Sequence, residues 1–165
     1  MTGGATTLVL MRHGVAEAHD AHPTDAERAL TPDGLKAAGR AARGLVELGV
    51  RPDLVVTSPL IRCRQTAELV AGAAGCPLEV DARLAPGMTS DDVLDVVLEH
   101  PDARTILLCT HQPGLTYAVA DLTGCGPVGF KRPGVAVLTL DRPTRGGASL
   151  SAVLPPRVLR AADGG

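Results

Sequence analysis

The feature that most constrains the fold is an alternation of short apolar segments with signals that start helices. Thr6–Met11 is an apolar, β-rich run that ends abruptly at residues 12–14 (Arg-His-Gly) and predicts a buried strand feeding a loop. Residues 31–34 (Thr-Pro-Asp-Gly) offer an N-cap, a proline at the first helical position and an acid in the first turn. They predict a helix to about Leu48. Residues 15–30 lack strong periodicity and indicate a long surface loop with a short helical turn.

The same alternation continues along the chain. Further strands are predicted at Asp53–Thr57, Leu78–Val80 and Thr105–Thr110. Further helices are predicted from a cap at Ser58-Pro59 to about Ala73, from a cap at Ser90 through Glu99, and from the turn at 111–114 to about Leu122. After a turn-rich segment, Val135–Leu140 and Ala148–Leu154 predict a closing antiparallel hairpin, and the tail from Pro155 is expected to be loosely held.

Strands that alternate with helices are typical of a three-layer α/β sandwich, with a mainly parallel central sheet and helices on both faces. A chain of 165 residues without a linker or internal repeat predicts one domain, 1–165, with a core of about 6–155 and a tail at 156–165. The sequence shows no heptad repeat and no long apolar stripe, and a monomer is expected.

Composition and charge exclude several function classes. The formal net charge is −2 at pH 7, which argues against general binding of nucleic acid or an anionic membrane. The chain has one Phe, one Tyr and no Trp, so it offers no aromatic platform for base stacking. The four cysteines show no metal-binding spacing, and no signal peptide or membrane-spanning stretch is evident. A cytoplasmic, reduced protein is expected.

Unusual side chains follow the ends of three predicted strands. Arg12 and His13 follow the first strand, Arg62 lies shortly after the second, and His111 directly follows the strand Thr105–Thr110. Because ligands of open α/β sheets bind outside the carboxyl ends of the strands, these side chains are expected to converge on one rim. Arginine offers a planar fork suited to phosphate oxygens, and an imidazole among such cations can carry a phosphoryl group covalently.

Other phosphatase chemistries lack their motifs in this sequence. A cysteine phosphatase needs C-x5-R, yet Leu115 and Lys131 stand six residues beyond Cys109 and Cys125. No D-x-D-x-T follows the first strand, and no Walker A or G-x-G-x-x-G loop is found. The strand-end residues include no carboxylate cluster, so no magnesium site or other cofactor is implied. Histidine remains as the nucleophile.

The motifs resemble those of the histidine phosphatase superfamily, whose fold is phosphoglycerate mutase-like. The resemblance is carried by residues 10–14 (LMRHG), 30–34 (LTPDG), 58–67 (SPLIRCRQTA) and 110–114 (THQPG), in this order along most of the chain. The small size and residues 84–87 (LAPG) are most similar to the compact SixA-like phosphohistidine phosphatase branch. The resemblance implies that His13 becomes phosphorylated and that Arg12, Arg62 and His111 bind the phosphoryl oxygens. Arg64, two residues beyond Arg62 on a helix, is expected to face solvent.

One element of the family pattern is missing. Many relatives place a glutamate just after the third strand, where it protonates the leaving oxygen, whereas residues 83–88 contain no acid. The nearest carboxylates, Asp91 and Asp92, are expected in the first turn of a helix. An alkoxide leaves poorly without a proton, while phosphohistidine has a labile P–N bond and a readily protonated leaving group. The sequence therefore favours a phosphoramidate substrate.

Three functional hypotheses result. The first is a metal-independent phosphatase that acts through phosphorylated His13 on protein phosphohistidine, in a phosphotransfer domain or a phosphocarrier. The second is a phosphomonoesterase for a small metabolite, with an acid recruited from Asp91, Asp92 or the 15–30 loop. The third is a phosphate-binding module without turnover. The roles of Glu17, His19 and His22 in that loop stay open, although two histidines on an acidic loop are interpreted as solvated rather than as metal ligands.

Overall fold

The structure is a computed structural model that describes residues 4–164. Its strands are β1 (Thr6–Arg12), β2 (Leu54–Thr57), β3 (Leu78–Val80), β4 (Thr105–Thr110), β5 (Val135–Leu140) and β6 (Ala148–Leu154). Its α-helices are α1 (Pro32–Glu47), α2 (Ile61–Ala74), α3 (Ser90–Leu98), α4 (Gly114–Thr123) and α5 (Pro156–Ala162). Short 3-10 helices cover Asp25–Glu27 and Ala82–Leu84. Within residues 4–164, no helix has both the length and the hydropathy needed to cross a bilayer.

The strands form one sheet in the order β3-β2-β4-β1-β5-β6. β1, β2, β3 and β4 pair in parallel, whereas β5 is antiparallel to β1 and β6 is antiparallel to β5. This confirms the predicted mainly parallel sheet with a C-terminal antiparallel hairpin. In the β1–β4 pair, Arg12 lies opposite Thr110, so the residues that follow these two strands leave the sheet side by side.

The apolar side chains of the sheet alternate between two cores. In β1, Leu8 and Leu10 pack with buried residues of α3 and α4 on one face of the sheet. Val9 and Met11 pack with α1, α2 and α5 on the other face. Successive strand residues point to opposite faces, so a sheet buried on both sides needs apolar residues at every position. The three-layer sandwich is therefore confirmed.

The starts of the helices follow the predictions only in part. Thr31 caps α1 as predicted, because its Oγ1 accepts the backbone N–H of Gly34. The predicted cap of α2 is wrong: the helix begins at Ile61, and the Ser58 hydroxyl bonds with His111 instead. The predicted cap of α3 at Ser90 is also wrong by one residue. Thr89 forms a capping box with the third residue of the helix, while the Ser90 hydroxyl donates to Asp121.

The prediction of a loosely held tail from Pro155 is wrong. Residues 156–162 form α5, which packs on α1 and buries Leu159 completely. Proline at the first position of a helix costs no hydrogen bond, so the Pro155-Pro156 pair starts this helix rather than ending the fold. The surface of α1 that α5 covers includes Gly44. Gly44 is too distant in sequence from α5 for a local pattern to reveal this contact. Residues 1–3 and 165 of the predicted domain lie outside the described residues.

Candidate active site

A pocket of about 390 Å³ opens at the edge of the sheet where β1 and β4 end. Arg12, His13, Arg62 and His111 all line it, so the structure brings together the four residues that the sequence predicts. The parallel pairing of β1 with β4 places the two histidines with their ring centroids 5.4 Å apart. Arg62 arrives from the first turn of α2.

The ring of His13 is held in one tautomer. His13 is 6% exposed, and its Nδ1 lies 2.7 Å from the carbonyl oxygen of Gly14. A carbonyl only accepts, so Nδ1 carries the proton and Nε2 of the neutral ring keeps its lone pair. The Nε–H of Arg62 donates to that Nε2 over 3.3 Å, which agrees with this tautomer.

The surroundings of His13 keep its ring neutral. Burial lowers the pKa of His13 from 6.5 to about 3, and the positive charges of Arg62 and Arg12 act in the same direction. The hydrogen bond to Gly14 opposes this change without cancelling it. At neutral pH, Nε2 is therefore an unprotonated nitrogen among cations, which is the state in which an imidazole is a nucleophile.

Each of the other three predicted residues is fixed by polar contacts. Arg62 is 4% exposed, and its Nη1 and Nη2 donate to the backbone oxygen and the carboxylate of Asp25, each over 2.9 Å. Arg12 Nη1 donates to the carbonyl of Phe130 over 2.7 Å. Nε2 of His111 and the hydroxyl of Ser58 lie 2.7 Å apart in a hydrogen bond. These contacts orient the three side chains before a ligand arrives.

The loop between β1 and α1 forms a wall of the pocket. The carboxylate of Asp25 accepts from Arg62 and from Nε of Arg28, the latter over 2.8 Å. Burial raises the pKa of Asp25, but the hydrogen bonds from Arg28 and Arg62 outweigh it, and the net pKa is lowered. Asp25 is therefore an ionised carboxylate at neutral pH.

Comparison with known proteins assigns the chain to a family. Residues 8–86 match the model of the histidine phosphatase superfamily (branch 1). Phosphohistidine phosphatase SixA of Escherichia coli (strain K12) is 31% identical over 146 residues, which cover 84% of this chain and 88% of SixA. The chain belongs to the histidine phosphatase superfamily. The resemblance predicted from the motifs is confirmed, and the protein is a phosphatase.

Two further proteins are similar to this chain. A solved structure of the protein histidine phosphatase SixA complexed with tungstate superposes on this histidine phosphatase with a TM-score of 0.83. The two are 28% identical, and the match covers 93% of this chain and 99% of that one. An uncharacterised protein of Picosynechococcus sp. (strain PCC 7002) is 37% identical over 113 residues, covering 66% of this chain and 67% of its own. The SixA-like branch is thereby confirmed.

The carboxylates considered as proton donors take other roles in the histidine phosphatase. Asp92 completes the capping box of α3, and Asp91 accepts hydrogen bonds from Arg145. Both lie in the first turn of α3, which confirms the expectation from the sequence. Neither of them lines the pocket. In the 15–30 loop, Asp25 does line the pocket, but it is ionised. Glu17, another acid of this loop, bonds with Nε2 of His22 over 3.2 Å.

Arg64 on α2 faces solvent as predicted, and its neighbours Gln65 and Thr66 bond to segments beside the pocket. Arg64 is exposed, whereas Thr66 Oγ1 accepts the N–H of Gly14 over 3.0 Å. Gln65 Oε1 accepts the N–H of Leu30 over 2.7 Å. These contacts tie α2 to the segment that follows β1 and to the end of the 15–30 loop. They therefore fix the position of Arg62 relative to His13.

Sequence reasoning missed Arg28 and Arg132. Arg28 comes from the loop without periodicity, and Arg132 comes from the turn-rich segment before β5. Asp25 belongs to the 15–30 loop, which the sequence already offers as a source of an acid near the pocket. No local pattern marks these positions, because a loop reaches a site through contacts that are distant in sequence. His19 also lines the pocket, with a side chain 86% exposed.

The arrangement is suited to an anion. Four arginines and one aspartate line the pocket. The Nε of Arg12 is buried and, within the described part of the chain, has no hydrogen-bond partner, so one N–H donor of this guanidinium is unsatisfied. Among residues 4–164, no group of three or more His, Cys, Asp or Glu side chains is placed to hold a metal ion. The pocket can hold a tetrahedral oxyanion between guanidinium groups beside the nucleophilic Nε2.

Proposed function

We propose that this histidine phosphatase removes the phosphoryl group from a phosphohistidine of another protein, through a covalent phosphohistidine at its own His13. One observation carries the proposal: Nε2 of His13 is unprotonated and lies within a ring of cationic and polar donors from Arg12, Arg62 and His111. A neutral nucleophile held among phosphate-binding cations suits transfer of a phosphoryl group without a metal ion.

The reaction proceeds in two displacements. Nε2 of His13 attacks phosphorus, the P–N bond to the substrate imidazole breaks, and the departing imidazole takes a proton from solvent. Water then attacks the phosphorus on His13, and inorganic phosphate leaves with regeneration of the neutral ring. Arg12 and Arg62 balance the charge of the equatorial oxygens in both steps, and the Ser58 hydroxyl keeps His111 turned toward them.

The preference for phosphohistidine follows from the protonation state of the carboxyl group in the pocket. Among the described lining residues, Asp25 is the one carboxyl group, and it is ionised. An alkoxide with a pKa far above neutrality needs a proton as it leaves, and general acids contribute about 10²- to 10⁴-fold to such steps. A departing imidazole is protonated by water near neutral pH. The site thus supports a phosphoramidate over an alkyl phosphate.

A protein substrate is supported by the same pocket and by a relative. The pocket opens at the edge of the sheet, and His19, largely exposed, stands at its mouth. A phosphorylated side chain on a protein surface can enter such an opening. The E. coli relative is named a phosphohistidine phosphatase. We therefore propose a phosphotransfer domain or a phosphocarrier as the physiological partner.

The test compares phosphate release from a phosphohistidine protein with release from a panel of phosphomonoesters, in the presence of EDTA. The expected result is hydrolysis of phosphohistidine by the parent protein and loss of this activity in His13→Ala. Circular dichroism of the variant controls for folding. Faster turnover of an alkyl monoester would overturn the proposed substrate class and support the metabolite phosphatase. Full activity of His13→Ala would overturn the covalent route.

A further inference from the structure

Arg132 is an arginine of the pocket that the chemistry above does not use. It lines the same pocket as Arg12 and His13, and it is exposed. Among the described residues its guanidinium forms no ion pair and no hydrogen bond, unlike the guanidinium groups of Arg12, Arg28 and Arg62. A solvated arginine on a convex surface needs no partner, but this one is placed at a ligand site.

The backbone on both sides of Arg132 is anchored beside Arg12. The carbonyl of Phe130 accepts from Arg12 Nη1 over 2.7 Å, and the carbonyl of Gly134 accepts the backbone N–H of Arg12 over 2.9 Å. Phe130 and Pro133 are buried. The segment is thus fixed at two points, and Arg132 is held at the rim of the pocket while its side chain stays free to meet a ligand.

The placement brings two like charges together. Burial lowers the pKa of Arg12, and the positive charge of Arg132 lowers it further. No described acid pairs with Arg132 to offset this repulsion. The repulsion is relieved when an anion lies between or beside the two guanidinium groups. Arg12, Arg62 and His111 already surround the position proposed for the phosphoryl group. Arg132 at the rim is therefore available for a second anionic group of the substrate.

We infer that Arg132 is a specificity-determining residue that binds the carboxylate of an aspartate or glutamate adjacent to the phosphohistidine of the protein substrate; this rests on the proposed function. Arg12, Arg62 and His111 bind the phosphoryl group inside the pocket, while the chain that carries the phosphohistidine crosses the rim. A guanidinium fork at that level matches a neighbouring carboxylate in two parallel hydrogen bonds.

The test uses two phosphohistidine peptides that differ at one residue beside the phosphohistidine, Glu in one and Gln in the other. The parent protein is expected to have a KM for the Glu peptide about tenfold lower than for the Gln peptide, with kcat within twofold. Arg132→Ala is expected to erase the difference by raising the KM of the Glu peptide alone. Lys131→Ala is the matched control, since it removes a neighbouring exposed charge that does not line the pocket, and it should keep the preference.

Three outcomes would overturn the inference. The parent protein could show equal KM values for both peptides, Arg132→Ala could weaken both peptides equally, or Lys131→Ala could erase the preference as fully as Arg132→Ala. An equal loss with a large fall in kcat would mean that Arg132 contacts the phosphoryl group itself.

Failure of the proposed function is a separate result. If the parent protein hydrolyses p-nitrophenyl phosphate but neither peptide, the proposed substrate class fails, and the same peptides are then measured as competitive inhibitors of that hydrolysis. An Arg132-dependent difference between their inhibition constants would still support recognition of the carboxylate. Equal inhibition constants would overturn it.

Discussion

The Nε–H of Arg62 donates to Nε2 of His13 over 3.3 Å, while the Nη atoms of the same guanidinium hold the backbone and side chain of Asp25. One buried side chain therefore orients the nitrogen proposed as nucleophile and secures the loop that walls the pocket. Its removal affects both the bound phosphoryl group and the frame around it.

Arg62→Ala is expected to lower kcat/KM by roughly 100-fold or more, because the guanidinium that balances the charge of the transferring phosphoryl group is lost. Inhibition by vanadate should weaken in parallel. Arg64→Ala is the matched control, since Arg64 lies on the same helix but is exposed, and it should retain activity within about twofold. Steady-state kinetics of both variants checks this. Unchanged vanadate inhibition in Arg62→Ala would contradict the role of the guanidinium.

The neutral His13 has a consequence for stability at acid pH. Its folded-state pKa is about 3 and its ordinary value is 6.5, so between these values the unfolded chain binds a proton that the folded chain does not. Stability therefore falls as pH falls from about 7 toward 3. At one pKa unit per 1.36 kcal/mol, His13 lowers the free energy of unfolding by about 2 kcal/mol between pH 7 and pH 5.

His13→Gln removes this proton while keeping a polar side chain of similar reach. Urea unfolding at pH 7 and pH 5 should show a smaller loss of stability in the variant than in the parent protein, by about 2 kcal/mol. The carboxylates that also titrate are common to both proteins and cancel in the comparison. Equal losses in the two proteins would show that His13 is not kept neutral by the fold.

Much of the fold could be predicted because its signals are local. β3, β4, β5 and β6 have the predicted bounds, since each is a short run rich in apolar residues between turn or loop segments. α5 could not be predicted in this way, because it depends on a surface of α1 that is distant in sequence. The caps of α2 and α3 failed for a related reason: Ser58 and Ser90 bond to side chains brought near by the fold.

The residues of the site that directly follow strands could be predicted from the sequence. His13 and His111 directly follow β1 and β4, so their convergence follows from the topology of the sheet. Asp25 and Arg132 reach the pocket on irregular segments whose path is set by tertiary contacts. The ionised state of Asp25 depends on two arginines, one of them on another element. These are the residues on which substrate preference is proposed to rest.

Asp25 is the one carboxyl group among the described lining residues and it is ionised, which predicts a steep dependence on the leaving group. With a series of phosphomonoesters, kcat/KM should fall as the pKa of the leaving alcohol rises. p-Nitrophenyl phosphate should exceed an alkyl phosphate by about 10²-fold or more, which is the lower range of what a general acid supplies. Comparison of five or six esters in EDTA checks the slope. A flat series would reveal a proton donor in the pocket and contradict this prediction.

The packing of α5 on α1 predicts opposite effects for two glycine substitutions on one helix. A Cβ at Gly44 would overlap the carbonyl group of Leu159, whereas at Gly39 the nearest atom is Nη1 of the flexible Arg43 at 3.5 Å. Alanine in a helix interior is favoured over glycine by about 1 kcal/mol. Gly39→Ala should therefore raise the free energy of unfolding by roughly 0.5–1 kcal/mol. Gly44→Ala should lower it by about 1–3 kcal/mol, since the overlap forces the helices apart.

Denaturant unfolding of both variants at neutral pH measures the difference. Leu159→Ala adds a third point, because this leucine is completely buried in the same contact and its truncation should cost about 2–4 kcal/mol. Arg157→Ala, on the exposed side of α5, is the control and should change stability by less than about 0.5 kcal/mol. If Gly44→Ala were as stable as Gly39→Ala, α5 would not lie against α1 in solution, and the C-terminal residues would behave as the loose tail expected from the sequence.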